Sequence, residues 1–389
     1  MLNTWLEKNF NRIIEIRRWL HQHPEVGFDE HESTRYCQKL MQEMGYKVQH
    51  NKKMQTGFYC DYGNGNGPTL AVRCDLDALP IEEVNTIDYC SVNKGVSHAC
   101  GHDSHMANIL GLAAYVAEEK LEIQGRLRFL FQPAEEIAPG GAVVMIEAGA
   151  IDGVDHIIGG HVLPSLSPEK IGIRYDAMAA YVERLEICLK GPGGHTSRPA
   201  KSVDLIWAQS HLVISLKESI REHLDQREPV VLAFGKVEGG NTCNVLPSKI
   251  RMEGTLRYLN KDLKVKLHQI IDDTVQSVER FTDADIAWSI PHESPGLTND
   301  GTCTELIIEA SQSALGPENV YMLEEPSMGG EDFAYYLQKI PGAYFRIGCF
   351  DGKDRDIHTN DFDIDERCMS TAIKVFAETV RRYFIVYHD

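Results

Sequence analysis

Three mostly apolar runs, each followed by polar residues, constrain the fold of this chain more than any other feature. Residues 69–74, 127–131 and 155–162 have the length and composition of buried strands, and residues 106–119 have the apolar spacing of a helix. Buried strands that alternate with helices are typical of a parallel sheet. The sequence therefore predicts an α/β domain of three layers, with a largely parallel central sheet between helices.

Polar side chains collect where these predicted strands end. Asp75 and Asp77 follow the first strand, Glu135 and Glu136 follow the second, and His161 lies near the end of the third. Because parallel strands place their carboxyl ends at one edge of a sheet, we expect these side chains to converge on one crevice. Asp75 and Asp77 either orient metal ligands there or end a strand in solvent, and the sequence alone leaves both open.

A loop rich in possible metal ligands lies between the first two strands. Cysteine, histidine and glutamate are ligands of zinc, and histidine with carboxylate also suits manganese, cobalt or nickel. Each such residue alone has an ordinary structural explanation, but together they favour a metal site. The candidate ligands are Cys100, His102, Glu136, His161 and His358.

Three further histidines, His21, His23 and His105, are possible ligands. His105 competes with His102, and His102 is preferred because the predicted helix begins at Met106, which puts His105 at the start of that helix. His21 and His23, two positions apart, could also be ligands, but a helix end with an exposed histidine before Pro24 explains them better than metal binding.

The adjacent carboxylates Glu135 and Glu136 indicate a division of labour. One can hold a metal while the other moves protons, as metal-assisted hydrolysis requires. A purely structural zinc site is closed by four ligands and has no use for a neighbouring base. The pattern therefore favours a metal-dependent hydrolase over a metal-stabilised binding protein without catalysis.

The pattern of elements changes near residue 180. Strands are predicted at 184–190, 230–237, 249–258 and 285–290, with helices at 203–220 and 263–281. This βαββαβ order is that of a ferredoxin-like unit. The sequence thus predicts a domain of residues 180–292 inserted into a catalytic domain of residues 1–179 and 293–389.

Charge and composition exclude several classes of partner. The formal net charge of −18 disfavours nucleic acid and anionic membranes as partners. The chain contains no run of about 18 apolar residues and no start typical of a secretory signal. Its ten cysteines form no CxxC pair, which is typical of reduced thiols. We therefore expect a cytoplasmic protein.

Five segments, in order along essentially the whole chain, resemble the aminoacylase/carnosinase metallopeptidase family. They are most similar to its N-acyl amino acid amidohydrolases, which include hippurate hydrolase and the auxin-conjugate hydrolases. This branch has Asp75-Leu76-Asp77 where other branches carry a His-x-Asp motif. The segments are Ala99–Met106, Phe131–Glu136, Gly193–His195, Gly329–Ala334 and Ile357–Thr359.

The resemblance implies a dinuclear site with two divalent ions per subunit, Mn or Zn first and Co or Ni as alternatives. It implies that the five candidate ligands hold them and that Glu135 is the base. The activity it implies is hydrolysis of an N-acyl amino acid to a carboxylic acid and a free amino acid. A dipeptidase or carboxypeptidase on the same scaffold is the nearest rival.

The resemblance also assigns roles within the inserted domain. It implies a lid that dimerises, so that the protein is a homodimer or a tetramer, with His195 reaching the partner's site as a donor to the oxyanion. Asn244 and Arg257 are candidates to hold the substrate, and Gly329 and Gly330 could offer backbone groups to it. The alternatives are a solvent-exposed loop for His195, an exposed strand position for Arg257 and a helix-start turn for the glycines. The loop after His195 departs from many branch members and leaves the substrate's identity open.

Overall fold

The structure is a computed structural model that describes residues 1–51 and 53–387. The chain divides into two compact units, which we describe separately. The main unit contains Met1–Met178, Thr298–Pro326 and the chain from Asp332 onward. The inserted unit contains Ala179–Leu297 and Ser327–Glu331.

The helices and strands of the described chain have the following bounds. The helices are α1 (Leu2–Gln22), α2 (His31–Glu43), α3 (His102–Glu118), α4 (Gly141–Glu147), α5 (Leu205–His223), α6 (Leu263–Thr282), α7 (Gly301–Leu315), α8 (Ala334–Leu337) and α9 (Arg367–Val386). The strands are β1 (Val48–Gln49), β2 (Phe58–Tyr62), β3 (Thr69–Asp75), β4 (Arg126–Gln132), β5 (His156–Leu163), β6 (Ile171–Ile173), β7 (Asp176–Ala179), β8 (Tyr181–Lys190), β9 (Gly194–His195), β10 (Val230–Glu238), β11 (Val245–Leu246), β12 (Lys249–Tyr258), β13 (Asp285–Ser294), β14 (Leu297–Asn299), β15 (Val320–Met322) and β16 (Gly342–Gly348). Among the helices of residues 1–51 and 53–387, none is long and apolar enough to cross a membrane.

The main unit is organised around an eight-stranded sheet in the order β1-β2-β4-β3-β5-β16-β6-β15. The four central strands, β4, β3, β5 and β16, run parallel to one another. Every residue of β3 is buried, as expected for a central strand covered on both faces. The predicted α/β class with a largely parallel central sheet is confirmed.

Helix α3 is buried along most of its length, and it begins earlier than the sequence indicated. Its first residue is His102, not Met106, so His102 and His105 both lie in its first turn. Gly101 precedes it with a φ of 81°, and a Cβ there would lie 2.7 Å from Cγ2 of Val162. A side chain at this position would therefore be strained and would collide with β5. The apolar periodicity begins only at Met106 because the polar residues of the first turn are buried by tertiary contacts.

The predicted helix end before Pro24 is observed, but the expectation of exposure is wrong for His21. The imidazole is buried, and its Nδ1 lies 2.8 Å from Oδ2 of Asp103. Nε of Arg17 lies 2.7 Å from the same carboxylate oxygen. A network of buried charges therefore ties α1 to α3, and helical spacing could not reveal it.

The inserted unit has its own sheet and core. Its four strands are antiparallel in the order β10-β12-β8-β13, and α5 packs against α6. Side chains on β12 alternate between buried and less buried positions, as in a sheet with one covered face. The order of elements, β8-α5-β10-β12-α6-β13, is the predicted βαββαβ arrangement. A short ladder within this unit pairs β9 with β11.

Candidate metal centre

The main unit brings all six of its predicted site residues into one cluster beyond the ends of β3 and β4 and beside β5. Possible ligand atoms lie within 4.8 Å of one another in each of several overlapping groups. Three of these groups are Cys100, His102 and His161; Cys100, Glu136 and His358; and His102, Glu135 and Glu136.

Cys100 and His161 are buried and face each other. Sγ of Cys100 lies 3.2 Å from Nε2 of His161. The other ring nitrogen of His161, Nδ1, lies 2.8 Å from the carbonyl oxygen of Val162, and a carbonyl can only accept a hydrogen bond. Nδ1 therefore carries the proton, and the lone pair of Nε2 points toward the thiol.

His102 presents a similar arrangement. Its Nδ1 donates to the backbone oxygen of Asp77 at 2.9 Å, which leaves Nε2 as the nitrogen that a metal could bind once Nε2 has lost any proton it carries. Nε2 is buried and has no hydrogen-bond partner among the described residues. An unsatisfied buried nitrogen is costly, and a cation at this position would satisfy it.

His105 is held differently, and this separates the two histidines that the sequence left in competition. Its Nδ1 donates to Oδ1 of Asp75 at 2.7 Å, and its Nε2 accepts from the backbone N–H of Val162 at 3.1 Å. Both ring nitrogens are therefore engaged within the protein. His102 keeps a nitrogen for a ligand, and His105 does not.

The adjacent glutamates have different neighbours. Oε1 of Glu136 lies 2.9 Å from Nε2 of His358, and the backbone N–H of Glu136 donates to Oδ2 of Asp77 at 2.9 Å. Oε1 of Glu135 instead accepts from the backbone N–H of Asp332 at 3.3 Å. The two carboxylates are thus presented to different parts of the cluster.

The electrostatics of the cluster suit a cation. Burial, together with Glu136 and Glu135, raises the pKa of the Cys100 thiol well above its usual value. Burial opposes the charged form of His102, yet Asp75 and Asp77 raise its pKa to about 10. Both shifts reflect a negative potential. A divalent ion would offset this potential and stabilise a thiolate, so the residues present fit a metal.

A buried arginine that the sequence reading missed supports this cluster. Arg73 lies inside β3 and donates from Nη1 to Oδ2 of Asp75 at 2.6 Å and from Nη2 to Oδ1 of Asp332 at 2.8 Å. Its Nε donates to Oε1 of Gln132 at 2.9 Å. Arg73 therefore links Asp75, whose carboxylate orients His105, to Asp332, whose backbone N–H contacts Glu135. The available signal was a charged residue inside an otherwise apolar strand.

The other predicted residues lie in the inserted unit. His195 is exposed on β9, where it pairs with Val245 of β11, and its Nδ1 accepts from the N–H of Ser197 at 3.1 Å. The backbone oxygen of Asn244 accepts from the N–H of Thr196 at 3.2 Å. The structure therefore brings His195 and Asn244 together on one small ladder.

Arg257 lies on β12, which is not part of the β9–β11 ladder. Its Nη1 donates to the backbone oxygen of Met328 at 2.9 Å, directly before Gly329 and Gly330. The N–H of Gly329 donates to Oγ of Ser327 at 2.9 Å, and its carbonyl accepts from the N–H of Ala180 at 3.1 Å. Both backbone groups of Gly329 are therefore engaged within the inserted unit.

Comparison with known proteins gives a consistent result. The sequence profile of Peptidase family M20/M25/M40 matches residues 71–382. N-acetyl-L-cysteine deacetylase of Bacillus subtilis is 35% identical over 376 residues, which are 95% of this chain and 88% of that protein. N-acyl-L-amino acid amidohydrolase of Geobacillus stearothermophilus is 38% identical over 267 residues, 68% of this chain and 72% of that protein.

A solved structure agrees with the sequence matches. A dinuclear metal-binding peptidase of the M20 family from Bacillus subtilis superposes with a TM-score of 0.85 at 32% identity, covering 98% of this chain and 99% of that one. The predicted resemblance and the predicted class, a metal-dependent hydrolase of amide bonds, are confirmed. The chain belongs to Peptidase family M20/M25/M40.

Proposed function

We propose that the protein is a dinuclear-metal amidohydrolase that cleaves N-acyl amino acids into a carboxylic acid and a free amino acid. The observation that carries this proposal is the position of Glu135. A carboxylate oxygen of Glu135 lies within 4.8 Å of ligand atoms of His102 and Glu136. Unlike Glu136, Glu135 also accepts a hydrogen bond from the backbone N–H of Asp332. The names of the two relatives, a deacetylase and an amidohydrolase, support the substrate class.

The proposed ligand set is that of the main-unit cluster. Two divalent ions, Mn or Zn with Co or Ni as alternatives, would supply Lewis acidity toward the amide carbonyl and a nucleophile at neutral pH. The Nε2 atoms of His102 and His161, oriented by the hydrogen bonds at the other ring nitrogens, support this assignment. The residues that would hold the ions are Cys100, His102, Glu136, His161 and His358.

Glu135 acts as the general base and acid in this proposal. Its carboxylate takes a proton from the attacking water and delivers it to the leaving amine. Glu136, whose Oε1 lies 2.9 Å from Nε2 of His358, would instead bind metal. The separate backbone contacts of the two carboxylates keep the two roles apart.

The inserted unit would supply substrate contacts. His195 would donate a hydrogen bond to the oxyanion that forms during attack, in the site of a partner subunit. Arg257, with Asn244, would bind the substrate carboxylate, since a guanidinium suits bidentate carboxylate recognition. The Gly329-Gly330 segment would line the same subsite. The proposal includes a cytoplasmic homodimer formed through the inserted unit, with a tetramer as the alternative.

A substrate panel tests the activity. Purified protein loaded with Mn²⁺ or Zn²⁺ is assayed for release of free amino acid from N-acetyl amino acids, N-benzoyl amino acids and dipeptides. We expect metal-dependent release from the acylated amino acids, its loss on chelation and its absence in Glu135→Gln protein. Turnover of dipeptides alone would favour the peptidase rival. No metal-dependent turnover on any substrate would contradict the proposal.

Thiol labelling tests the ligand set without an activity readout. Cys100 as a metal ligand should resist alkylation in loaded protein and react after chelation, as followed by mass spectrometry. Cys37 is the matched control, because it is equally buried but lies outside the cluster. Equal labelling of Cys100 with and without chelator would count against it as a ligand.

A further inference from the structure

The backbone turns in an unusual conformation one residue before Glu135. Ala134 has a φ of 48°, in the left-handed region that residues other than glycine rarely adopt. Its side chain is fully buried. Such a conformation persists only where surrounding contacts hold it, and it often occurs at functional sites.

Both backbone polar groups of Ala134 are held. Its N–H donates to Oε1 of Glu30 at 2.6 Å, and its carbonyl accepts from the N–H of Gly141 at 2.9 Å. Glu30 comes from a distant part of the chain, at the residue before α2. Its other oxygen, Oε2, accepts from Oγ1 of Thr56 at 2.7 Å. The short hydrogen bond that this N–H donates to Glu30 is thus the long-range contact that fixes the turn.

The segment that carries Glu30 also packs against the same loop. A Cβ on Gly27 would lie 2.5 Å from Cδ1 of Ile137 and 3.1 Å from Cβ of Ala134. Residue 27 must therefore be small for the two segments to approach this closely. On the other side of the turn, the N–H of Glu136 is held by Asp77. The loop is clamped on both sides of Glu135.

The position of Glu30 is costly for a carboxylate. Its side chain has no exposed surface, and burial raises its pKa to about 7 although Thr56 and Ala134 donate to it. Asp77 is the charged neighbour that adds to this rise. No basic side chain pairs with Glu30 among the residues that the structure describes. Such a buried carboxylate needs an explanation beyond stability, since an apolar residue would avoid this cost.

We propose that Glu30 is a positioning residue for catalysis, which holds the left-handed turn at Ala134 and so aims the Glu135 carboxylate. Glu30 contacts neither of the adjacent glutamates in this role and acts through the backbone. The inference rests on the proposed function, because it takes Glu135 as the base. It predicts that losing the contact lowers turnover while leaving metal binding and substrate affinity in place.

The experiment compares three variants by kcat, KM and metal content. Glu30→Ala removes the acceptor, and we expect kcat to fall roughly a hundredfold, the size of effect that a displacement of about 1 Å produces. KM and metal content should stay near wild type. Glu30→Gln should keep most activity, because its amide oxygen can accept from Ala134 while its NH₂ donates to Oγ1 of Thr56.

Glu25→Ala is the matched control. Glu25 also accepts backbone N–H groups at the start of α2, from Glu32 at 3.0 Å and Ser33 at 2.8 Å, but its side chain has no bond to Ala134. Its kcat should therefore stay near wild type. A kcat for Glu30→Ala no lower than for Glu25→Ala, a Gln variant as slow as the Ala variant, or metal loss that accounts for the lost activity would each overturn the proposal.

Two further measurements keep the test decisive. Hydrogen exchange at the Ala134 amide should be slow in wild type and in Glu25→Ala, and faster in Glu30→Ala, whether or not any substrate is turned over. Faster exchange with unchanged kcat would overturn the positioning role alone, whereas a wild type inactive on every N-acyl substrate would overturn the proposed function.

If Glu30→Ala does not fold, Ala134→Val strains the same turn with Glu30 present, and it should lower kcat with metal retained. Unchanged kcat in that variant would overturn the proposal.

Discussion

The histidines of the two units are held in contrasting ways. In the main unit, His102 and His161 are 0% and 5% exposed, and each has one ring nitrogen fixed by a backbone carbonyl. In the inserted unit, His195 is exposed, and the ring partner described for it is Ser197, two residues away. His102 and His161 are therefore oriented before a metal or substrate binds. The orientation of His195 should instead be set by the group that it contacts in the complex.

The charged residues of the two units differ in the same way. Arg73 in the main unit is 1% exposed and pairs with two buried carboxylates, those of Asp75 and Asp332. Arg184 in the inserted unit is 52% exposed and pairs with Glu186 and Glu253 on the surface. Buried pairs cost much to break, and exposed pairs contribute little. Loss of Arg73 should therefore cost far more stability than loss of Arg184.

The largest effect should come from the adjacent carboxylates. Glu135→Gln should lower kcat roughly a thousandfold with metal retained, because it removes the proton carrier but no ligand. Glu136→Gln should lose metal, which analysis by mass spectrometry would show. Substitutions at His195 should leave metal content unchanged, as a control from the inserted unit. Metal loss in Glu135→Gln with retained metal and activity in Glu136→Gln would reverse the assignment.

The next effect is on stability and compares the two arginines directly. Arg73→Met leaves Asp75 and Asp332 without their buried partner, so it should lower the free energy of unfolding by about 3–5 kcal/mol. Arg184→Met removes exposed pairs and should change it by less than about 1 kcal/mol. Urea unfolding of both variants in the metal-loaded protein measures the difference. Similar losses of unfolding free energy in the two variants would contradict the contrast between the buried and the exposed arginine.

Buried Glu30 should make stability depend on pH. Its pKa is about 7 in the folded protein against an ordinary value of 4.5, so the folded state binds more protons than the unfolded state between these values. The stability that its protonation contributes is present below pH 4.5 and is lost as pH rises through 7. Glu30→Gln does not titrate and should therefore gain stability relative to wild type across this window, by up to about 3 kcal/mol. Unfolding at pH 5 and pH 8 measures this, and a pH-independent difference would contradict it.

The smallest effect concerns the exposed histidine. His195→Ala should lower kcat about a hundredfold with a smaller change in KM, because one oxyanion donor is lost. Mixing His195→Ala protein with Glu135→Gln protein tests whether the contact reaches a partner subunit. A mixed dimer then has one intact site, and activity should reappear on subunit exchange. Exchange without recovery would mean that His195 acts in its own chain.

Much of the main-unit cluster was predictable because strand ends in a parallel sheet meet at one edge. Glu135 and Glu136 after β4, and Cys100 and His102 beside β3, follow from that rule and from ligand chemistry. The βαββαβ order of the inserted unit followed from the alternation of short strands and amphipathic helices. These features are local in sequence, and periodicity reports them.

The contacts that hold the cluster were not predictable in the same way. Arg73 meets Asp332 across 259 positions of sequence, and Glu30 meets Ala134 across 104. No spacing rule joins residues so far apart. The start of α3 at His102 was missed for the same reason, since its polar first turn is buried by partners that come from other segments.

The position of β16 has a consequence for synthesis of the chain. This strand, Gly342–Gly348, lies between β5 and β6 in the main sheet although it follows both in sequence by well over a hundred residues. Because β16 pairs with both β5 and β6, the main sheet cannot be completed until residue 348 has left the ribosome. The strands and helices of the inserted unit are complete by Ser294 and enclose their own apolar core, so this unit should fold first. The segments that surround it in sequence must wait, and nascent chains stalled before residue 342 should expose them to proteases and chaperones.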